Sequence, residues 1–528
     1  MIQKRTEREK NIPIFVFFLA FAFAILYICT ASSPRYATNP WNDSNAFLTV
    51  GKAMANGMTV YKDIFEQKGP LLYLIHAIAY FISNTSFTGV YVMQSLTLCV
   101  TAFAAFKIAS LYVGTGWSVA SAVLTCFVTV NSACYYYGDS AEEFCLPLLM
   151  ISIYYFCRYF KNTEQDLPKR SVFFLVGFFA GCVAMIKFTV IGFWFAWAAY
   201  ISLYTLFAKK DFKKAVINAL VFIGGMAAAL APWVVYFAVN DALNDFIYTY
   251  FILNTTAYPS ATGMSFAARL IEPLGCILEA FSFSPILLCL GITGMILFLV
   301  TNIFAEKKFF SRISLPVMCL TGMYLIYFGL RTYSYYFTPM SAFTVFSFIF
   351  AAYLLQKISK KKEKAVSLIL CCICVISGFV RSDLSKVSSK YVARKGTQTV
   401  QIQAAEYIKS HNPNGKILNY RSLDNGVYLS ANQVPQFKHF EHQNFDYDCY
   451  SENADEQNRY INEHLADFVA VSTHPSESID DIYNENSTLQ TDYNLVICEK
   501  YIIQPSRKVD IKYEKTFYLF ELKTEFKK

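Results

Sequence analysis

Long apolar runs separated by short polar links fill the first two-thirds of the chain. They fall at 12–31, 88–113, 117–136, 144–160, 172–187, 189–207, 215–238, 274–303, 314–330, 337–356 and 365–380. Most approach the length that crosses a bilayer as a helix, which predicts about eleven spans. The run at 70–83 is short for a span and predicts a helix at the membrane interface. Just before it, "SNAFLTVGKAMANG" at 44–57 is amphipathic, with Phe47, Leu48, Val50, Ala53 and Met54 on one side, and is expected to lie along the outer leaflet. Beyond residue 381 the pattern changes. "TQTVQIQAAEYIKSH" has helical periodicity, and "GKILNY", "DFVAVS", "YNLVICE" and "TFYLFELK" read as strands. The expectation is an α-helical polytopic membrane domain over 1–381 and a small extracytoplasmic α/β domain over 382–528.

Composition agrees with a membrane protein. Of the 528 residues 55% are hydrophobic and 16% charged, against about 25% charged in soluble domains. The net charge of +8 sits largely in short basic links, so it calls for no nucleic acid. No clear small-residue cleavage site follows 12–31, which therefore reads as a retained first helix. With the N-terminus in the cytoplasm, alternating spans place Arg158, Lys161, Lys169 and Arg170, then Lys209, Lys210, Lys213 and Lys214, then Lys357, Lys360, Lys361, Lys362 and Lys364 on the inner side. That is the positive-inside pattern, and it puts the C-terminal domain outside a plasma (inner) membrane. All of the fifteen cysteines but Cys449 and Cys498 lie in or beside apolar runs. Outside the cytoplasm those two could form a disulfide or remain free thiols.

In this topology ionisable residues gather at the outer face: Asp43, Asp63, Glu66 and Lys68 in the first loop, Asp139, Glu142 and Glu143 in "YYYGDSAEEFCLP", Lys187 in "AMIKFTV", Arg269 and Glu272, and Arg331 in "GLRTYSYYF". Charges near membrane depth are expensive and mark function. Asp63, Arg269 and Glu272 read as solvated loop charges. Asp43, Lys68, Glu142, Lys187 and Arg331 read as functional. Lys187 has apolar neighbours on both sides and needs a partner or a ligand phosphate. Arg331 precedes a cluster of tyrosines, including Tyr333 and Tyr335, a setting for a phosphate attached to a sugar or lipid. Weaker signals fall away. "GTGWSV" lacks the context of a dinucleotide fingerprint, and "HFEHQNFDYDC" at 439–449 reads as a polar loop before it reads as a metal site.

The stretch "G…YKD.FEQKGPLLY", with an acid after the first span, resembles the first outer loop of GT-C glycosyltransferases of the protein-mannosyltransferase and lipid A aminoarabinose-transferase type (glycosyltransferase family 39). Gly57, Tyr61, Asp63, Phe65, Lys68, Pro70, Leu71 and Tyr73 match its pattern. Gly138, Glu142 and Pro147 are similar to its second-loop element, and Gly177, Gly181 and Lys187 to a later one. "APWVVYF" and "RTYSYYFTP" are looser matches, and the resemblance covers about residues 10 to 380. It implies transfer of a sugar from a polyprenyl-phosphate-linked donor to an acceptor hydroxyl at the outer face, with inversion. The acceptor would be a cell-envelope polymer, glycolipid or protein. By resemblance Asp43 is the base, Lys68 and Arg331 hold the donor phosphate with Lys187 a further candidate, and Glu142 orients a substrate. Glu66, Tyr61, Tyr333 and Tyr335 are placed as substrate-orienting. Asp43-Ser44 stands where many relatives carry Asp-Glu, so a second acidic role would fall to Glu66 or Glu142. No metal is required, because cationic side chains can replace it, although some relatives use one.

Two other classes compete. A transporter or flippase of lipid-linked saccharides would show inverted repeats and mid-bilayer polar residues in broken helices. A polysaccharide polymerase or ligase would carry key arginines in a large late loop. Here no repeat is visible and the acid lies in the first loop.

Overall fold

The computed structural model describes residues 7–161, 168–257, 264–306, 308–358, 363–380, 393–474, 476–503 and 513–527. Lys307, Lys360, Lys361 and Lys362 of the basic links lie outside them. Every long apolar run falls on helical structure. The helices include α1 (Glu7–Cys29), α2 (Asn42–Ala55), α3 (Pro70–Ile82), α4 (Thr88–Ala109), α5 (Thr115–Asn131), α6 (Ala141–Phe160), α7 (Arg170–Lys187), α8 (Gly192–Phe207) and α9 (Phe212–Val239). By length and apolarity, 6 described segments can cross a membrane, or up to 7 with a pair bent by 115° at Ala267–Ala280 and Pro285–Val300. This is fewer than the apolar runs for physical reasons. Arg170–Phe207 joins two runs through a 3-10 turn at Phe188–Ile191, while Thr115–Asn131 and Ala365–Gly378 are shorter than a bilayer-length helix.

The chain forms two compact units, each drawn from three segments. The first comprises Met1–Thr30, Val92–Val235 and Ser260–Lys386 and is helical. Its close packing depends on small residues. A Cβ on Gly177 of α7 would come 2.0 Å from the Phe222 carbonyl oxygen of α9, and one on Gly225 would come 2.1 Å from that of Phe174. The Gly177/Gly181 spacing therefore lets two apolar helices touch backbone to backbone, as small residues do inside membranes.

The second unit comprises Ala31–Tyr91, Tyr236–Pro259 and Val387–Lys528. Its sheet has the order β1-β2-β4-β3: β1 (Ile417–Tyr420) runs parallel to β2 (Phe468–Thr473), and β4 (Tyr513–Leu522) pairs antiparallel with β2 and with β3 (Tyr493–Ile503). All four expected strands are present. The expected helix spans Val400–His411 and is capped by the Thr399 side chain, which accepts from the Ile402 amide. Leu418, Val469, Val471, Phe520 and Leu522 build the core on the sheet. Cys449 and Cys498 are both free thiols, so the disulfide alternative does not hold.

The unit also takes in the first outer loop. α2 does not show an apolar side to the membrane: its residues from Ser44 to Ala53 are buried. One side meets α3, where Gly51 faces His76 and Ala77 and Phe47 packs edge-on against the His76 ring. The other meets the C-terminal region, where Thr49 donates to Asp424 and Lys52 to Asn432. The polar side seeks hydrogen bonds within the protein, so the helix is covered on both faces. α3 instead carries the exposed apolar row Leu74, Ile78, Phe81 and Ile82.

Candidate functional site: two clusters of charge

In the second unit, "VYKDIFEQKGPLLY" is knotted around the backbone of Lys68. Tyr61 adopts φ 71° and is fully buried beside Phe237, Phe246 and Tyr250. Its hydroxyl donates to the Lys68 carbonyl at 2.5 Å. The Lys68 amide donates to Glu66 Oε2 and to the Tyr73 hydroxyl, each at 2.8 Å. Two tyrosines and a glutamate thus fix the backbone of the lysine. Tyr61 accordingly holds Lys68 through its backbone carbonyl. Gly69 caps α3, and Pro70 occupies its first turn, where a missing N–H costs nothing. Lys68 Nζ stands 3.9 Å from Glu66 Oε1 and 5.9 Å from the centre of the Phe47 ring.

Asp43 is half-buried in the first turn of α2, where the helix dipole favours a carboxylate. Glu66 is buried, and burial raises its pKa, with the Asp43 charge adding to the rise while Lys68 opposes it. Two acids not singled out in the sequence join them. Asp424 accepts from Thr49 Oγ1 at 2.5 Å and from the Gly426 amide at 2.8 Å, and burial pushes it up to about 6. Glu441 accepts from the Asp424 amide at 2.6 Å, and its pKa is raised well above the usual range by burial and then by Glu66, Asp424 and Asp43. Four carboxylates therefore feel one another, and they cannot all ionise at their ordinary pKa. Lys52 is lowered to about 8, chiefly by burial. Glu441 lies inside "HFEHQNFDYDC", whose His439 is held neutral by burial, near 4, and packs on Phe65 at 4.9 Å. Among the described residues no group of three or more His, Cys, Asp or Glu is placed to share a metal ion.

In the first unit the second-loop acids separate by role. Tyr136, Gly138 and Asp139 all have positive φ, which folds the turn back on itself. Glu143 holds that turn: it accepts from the Asp139 amide at 2.7 Å, from Gln94 at 2.9 Å and from the Tyr135 hydroxyl at 2.7 Å. Glu142, fully buried in the first turn of α6, instead forms an ion pair with Lys187 at the end of α7. Lys187 Nζ also lies 3.4 Å from the centre of the Tyr336 ring and 5.7 Å from that of Tyr335. The partner that its apolar surroundings demanded is thus Glu142, with aromatic faces around it. Tyr333 and Tyr335 stack at 5.5 Å beside Arg331, and all three are half-buried. Asp63 caps its own turn by accepting from the Thr59 amide, and it, Arg269 and Glu272 are exposed.

Residues 4–367 match the family model described as "Putative competence-induced protein Ccs4 N-terminal domain". The chain belongs to this Ccs4 N-terminal domain family. No curated protein matches it. Among solved structures, arabinofuranosyltransferase AftD from Mycobacteria superposes with a TM-score of 0.51 at 11% identity, over 97% of this chain and 40% of AftD. ArnT from Cupriavidus metallidurans, bound to undecaprenyl phosphate, gives 0.48 at 11% identity over 96% of this chain and 97% of ArnT. AglB from Archaeoglobus fulgidus, an oligosaccharyltransferase in complex with an inhibitory peptide and a dolichol-phosphate, gives 0.49 at 11% identity over 88% and 70%. This Ccs4-family chain has the GT-C fold, and at these identities the likeness concerns the fold alone.

Proposed function

We propose that this Ccs4-family protein is a glycosyltransferase that moves a sugar from a polyprenyl-phosphate-linked donor to an acceptor hydroxyl at the outer face of the plasma membrane. One observation carries the reading: Asp43 sits in the first turn of the helix after α1, within a cluster of mutually coupled buried carboxylates, and Lys68 is fixed by Tyr61, Tyr73 and Glu66 in the same unit. That pairs a group able to take a proton with a cation able to meet a phosphate. The GT-C fold fits, and AftD is a transferase of arabinofuranose by name.

In the proposed reaction the acceptor oxygen attacks the anomeric carbon and its proton passes to the Asp43 carboxylate. The bond from that carbon to the phosphate oxygen breaks, and polyprenyl phosphate leaves from the opposite face, so the anomeric centre inverts. Lys68 stabilises the departing phosphate, and positioning lowers the remaining barrier. Glu66, coupled to Asp43, supplies the second acid that Ser44 does not. On residue chemistry alone, Arg331 and Lys187 keep their assignment to the donor phosphate, and Glu142, Tyr333 and Tyr335 theirs to orientation. The orientation with the N-terminus inside and the C-terminal domain outside belongs to the same proposal.

The test is transfer by the purified full chain from a panel of radiolabelled polyprenyl-phosphate sugars. Consumption of one donor, with label passing to an envelope acceptor, is expected. Donors that bind without turnover would favour transport of the lipid-linked saccharide instead.

A further inference from the structure

The peptide unit that joins Gln67 to Lys68 is held at both edges. Its N–H, from Lys68, donates to Glu66 Oε2 and to the Tyr73 hydroxyl, each at 2.8 Å. Its carbonyl, from Gln67, accepts from Asn254 Nδ2 at 2.8 Å. The next carbonyl, that of Lys68 itself, accepts from the Tyr61 hydroxyl at 2.5 Å. A peptide unit is a rigid plane, so pinning the planes on both sides of the Lys68 Cα fixes the direction in which its side chain starts. Glu66 Oε1 and the Phe47 ring then bound where the ammonium ends, and the side chain stays 15% exposed.

Glu66, Tyr73 and Tyr61 lie within seven residues of Lys68 and travel with it. Asn254 lies 187 residues from Gln67. It ties the loop to another part of the second unit, the helical segment 243–256. Over Ile247–Leu253 this helix widens to the π form, with i→i+5 bonds, which is rare and frequently marks functional sites. Three of its side chains meet the loop. The Tyr250 ring stacks on Tyr61 at 6.4 Å with the planes 22° apart, Leu253 joins Phe65 in one apolar cluster, and half-buried Asn254 reaches the Gln67 carbonyl. The same Asn254 Nδ2 turns back on its own helix, to the carbonyls of Tyr250 at 2.9 Å and Thr249 at 3.4 Å. An amide carries two donor hydrogens, one for the helix and one for the loop. A hydroxyl, with one, would serve only one of them.

We propose that Asn254 is a positioning residue for Lys68: it registers the loop against helix 243–256 so that the ammonium stands where the phosphate of a polyprenyl-phosphate donor arrives. The role of the phosphate rests on the glycosyl-transfer reading above; the fixing of the Gln67–Lys68 peptide unit does not. Without the Nδ2 donor the Gln67 carbonyl loses its bond, and the plane is free to tilt about the bonds that remain. Lys68 then keeps its charge and loses its aim, so the effect of losing Asn254 passes through Lys68.

The experiment is a double-mutant cycle on the full chain in detergent, read as binding of undecaprenyl phosphate, with undecaprenol as the uncharged control. Lys68→Met is expected to weaken phosphate binding by about tenfold or more. Asn254→Asp, which keeps the size and removes the donor, is expected to weaken it by about threefold to tenfold, the worth of one neutral hydrogen bond. Undecaprenol binding stays unchanged in both. The double variant is expected to bind no worse than Lys68→Met, because a residue that acts through Lys68 has nothing further to lose once Lys68 is gone. Asn254→Ala serves where the carboxylate prevents folding. Hydrogen exchange adds a readout that needs no ligand: the Lys68 amide exchanges faster in the Asn254 variant while the amides of β2 keep their protection. If the native chain does not bind undecaprenyl phosphate, or Lys68→Met leaves binding unchanged, the transfer reading loses its phosphate cation and this proposal falls with it. The role of Asn254 alone falls if Lys68→Met weakens binding and the Asn254 variants do not, if the two penalties add, if undecaprenol binding drops equally, or if Lys68 amide exchange is unchanged.

Discussion

The two units treat buried charge in opposite ways. In the first, Glu142 and Lys187 form a one-to-one pair enclosed by tyrosines, and Glu143 is saturated by three donors that hold a strained turn. In the second, Asp43, Glu66, Asp424 and Glu441 act on one another, with Lys68 and Lys52 the nearby cations that temper them. In a closed pair each charge is already met by its partner. In the cluster Glu66, Asp424 and Glu441 have raised pKa values, which suits proton exchange nearer neutral pH. Both regions looked equally charged along the chain, yet the surplus in the second is what suits acid–base work.

The sharpest break of this contrast is Asp43→Asn. A general base contributes about 10²–10⁴-fold, so transfer is expected to fall in that range while thermal unfolding stays near that of the native protein. Retained activity in this variant, with loss in Glu441→Gln, would move the base to another member of the cluster. Next comes Lys187→Met. Removing one partner of a buried pair leaves the other charge stranded, which costs about 3–5 kcal/mol. The double variant Glu142→Gln/Lys187→Met is expected to recover most of that loss in thermal melts. If the double variant regains stability but not transfer, the pair acts in the reaction as well as in the fold.

Much of this was legible in the sequence, for definable reasons. Apolar runs and alternating segments dictate helices and strands, and all four C-terminal strands sit where the pattern puts them. Lys187 announced its need for a partner, but helical register cannot say that Glu142, 45 residues earlier, supplies it. The α2 apolar side was visible, yet sequence cannot tell lipid from α3 as its cover. Asp424 and Glu441 escaped notice because they belong to a segment that reads as an ordinary soluble domain. The available signal was an acid among aromatics in "FKHFEHQNF", where attention goes to the histidines.

The pH dependence of stability tests the burial of Asp424 in this cluster. Asp424 has a folded pKa raised to about 6 from its ordinary 3.8. Its protonated form favours the fold, so its contribution is present in full below the ordinary value and is lost as pH rises through about 6. Asp424→Asn lacks this loss. Between pH 4 and pH 7 the variant is expected to gain on the native protein by up to about 3 kcal/mol, read as a converging or crossing pair of melting midpoints. A constant offset across that range would show that burial does not raise the Asp424 pKa, and Asp424 would drop out of the contrast between the two units.

The finest probe is Thr49→Val, which keeps the shape of the side chain and removes the hydroxyl that donates to Asp424 Oδ2. The other Asp424 oxygen keeps its bond from the Gly426 amide. When Asp424 is ionised the lost bond is a charge-assisted one, worth about 2 kcal/mol; when it is protonated the loss is about 1 kcal/mol. The destabilisation is therefore expected to be larger at pH 8 than at pH 5, whereas removing a surface hydroxyl would cost the same at both. Losing this donor also leaves the charged form less supported, so the Asp424 titration should move further upward in the variant. If melting midpoints drop equally at both pH values, the hydroxyl serves packing alone, and the contrast between a closed pair in one unit and a proton-sharing cluster in the other rests on Glu66, Glu441 and Asp43 without Asp424.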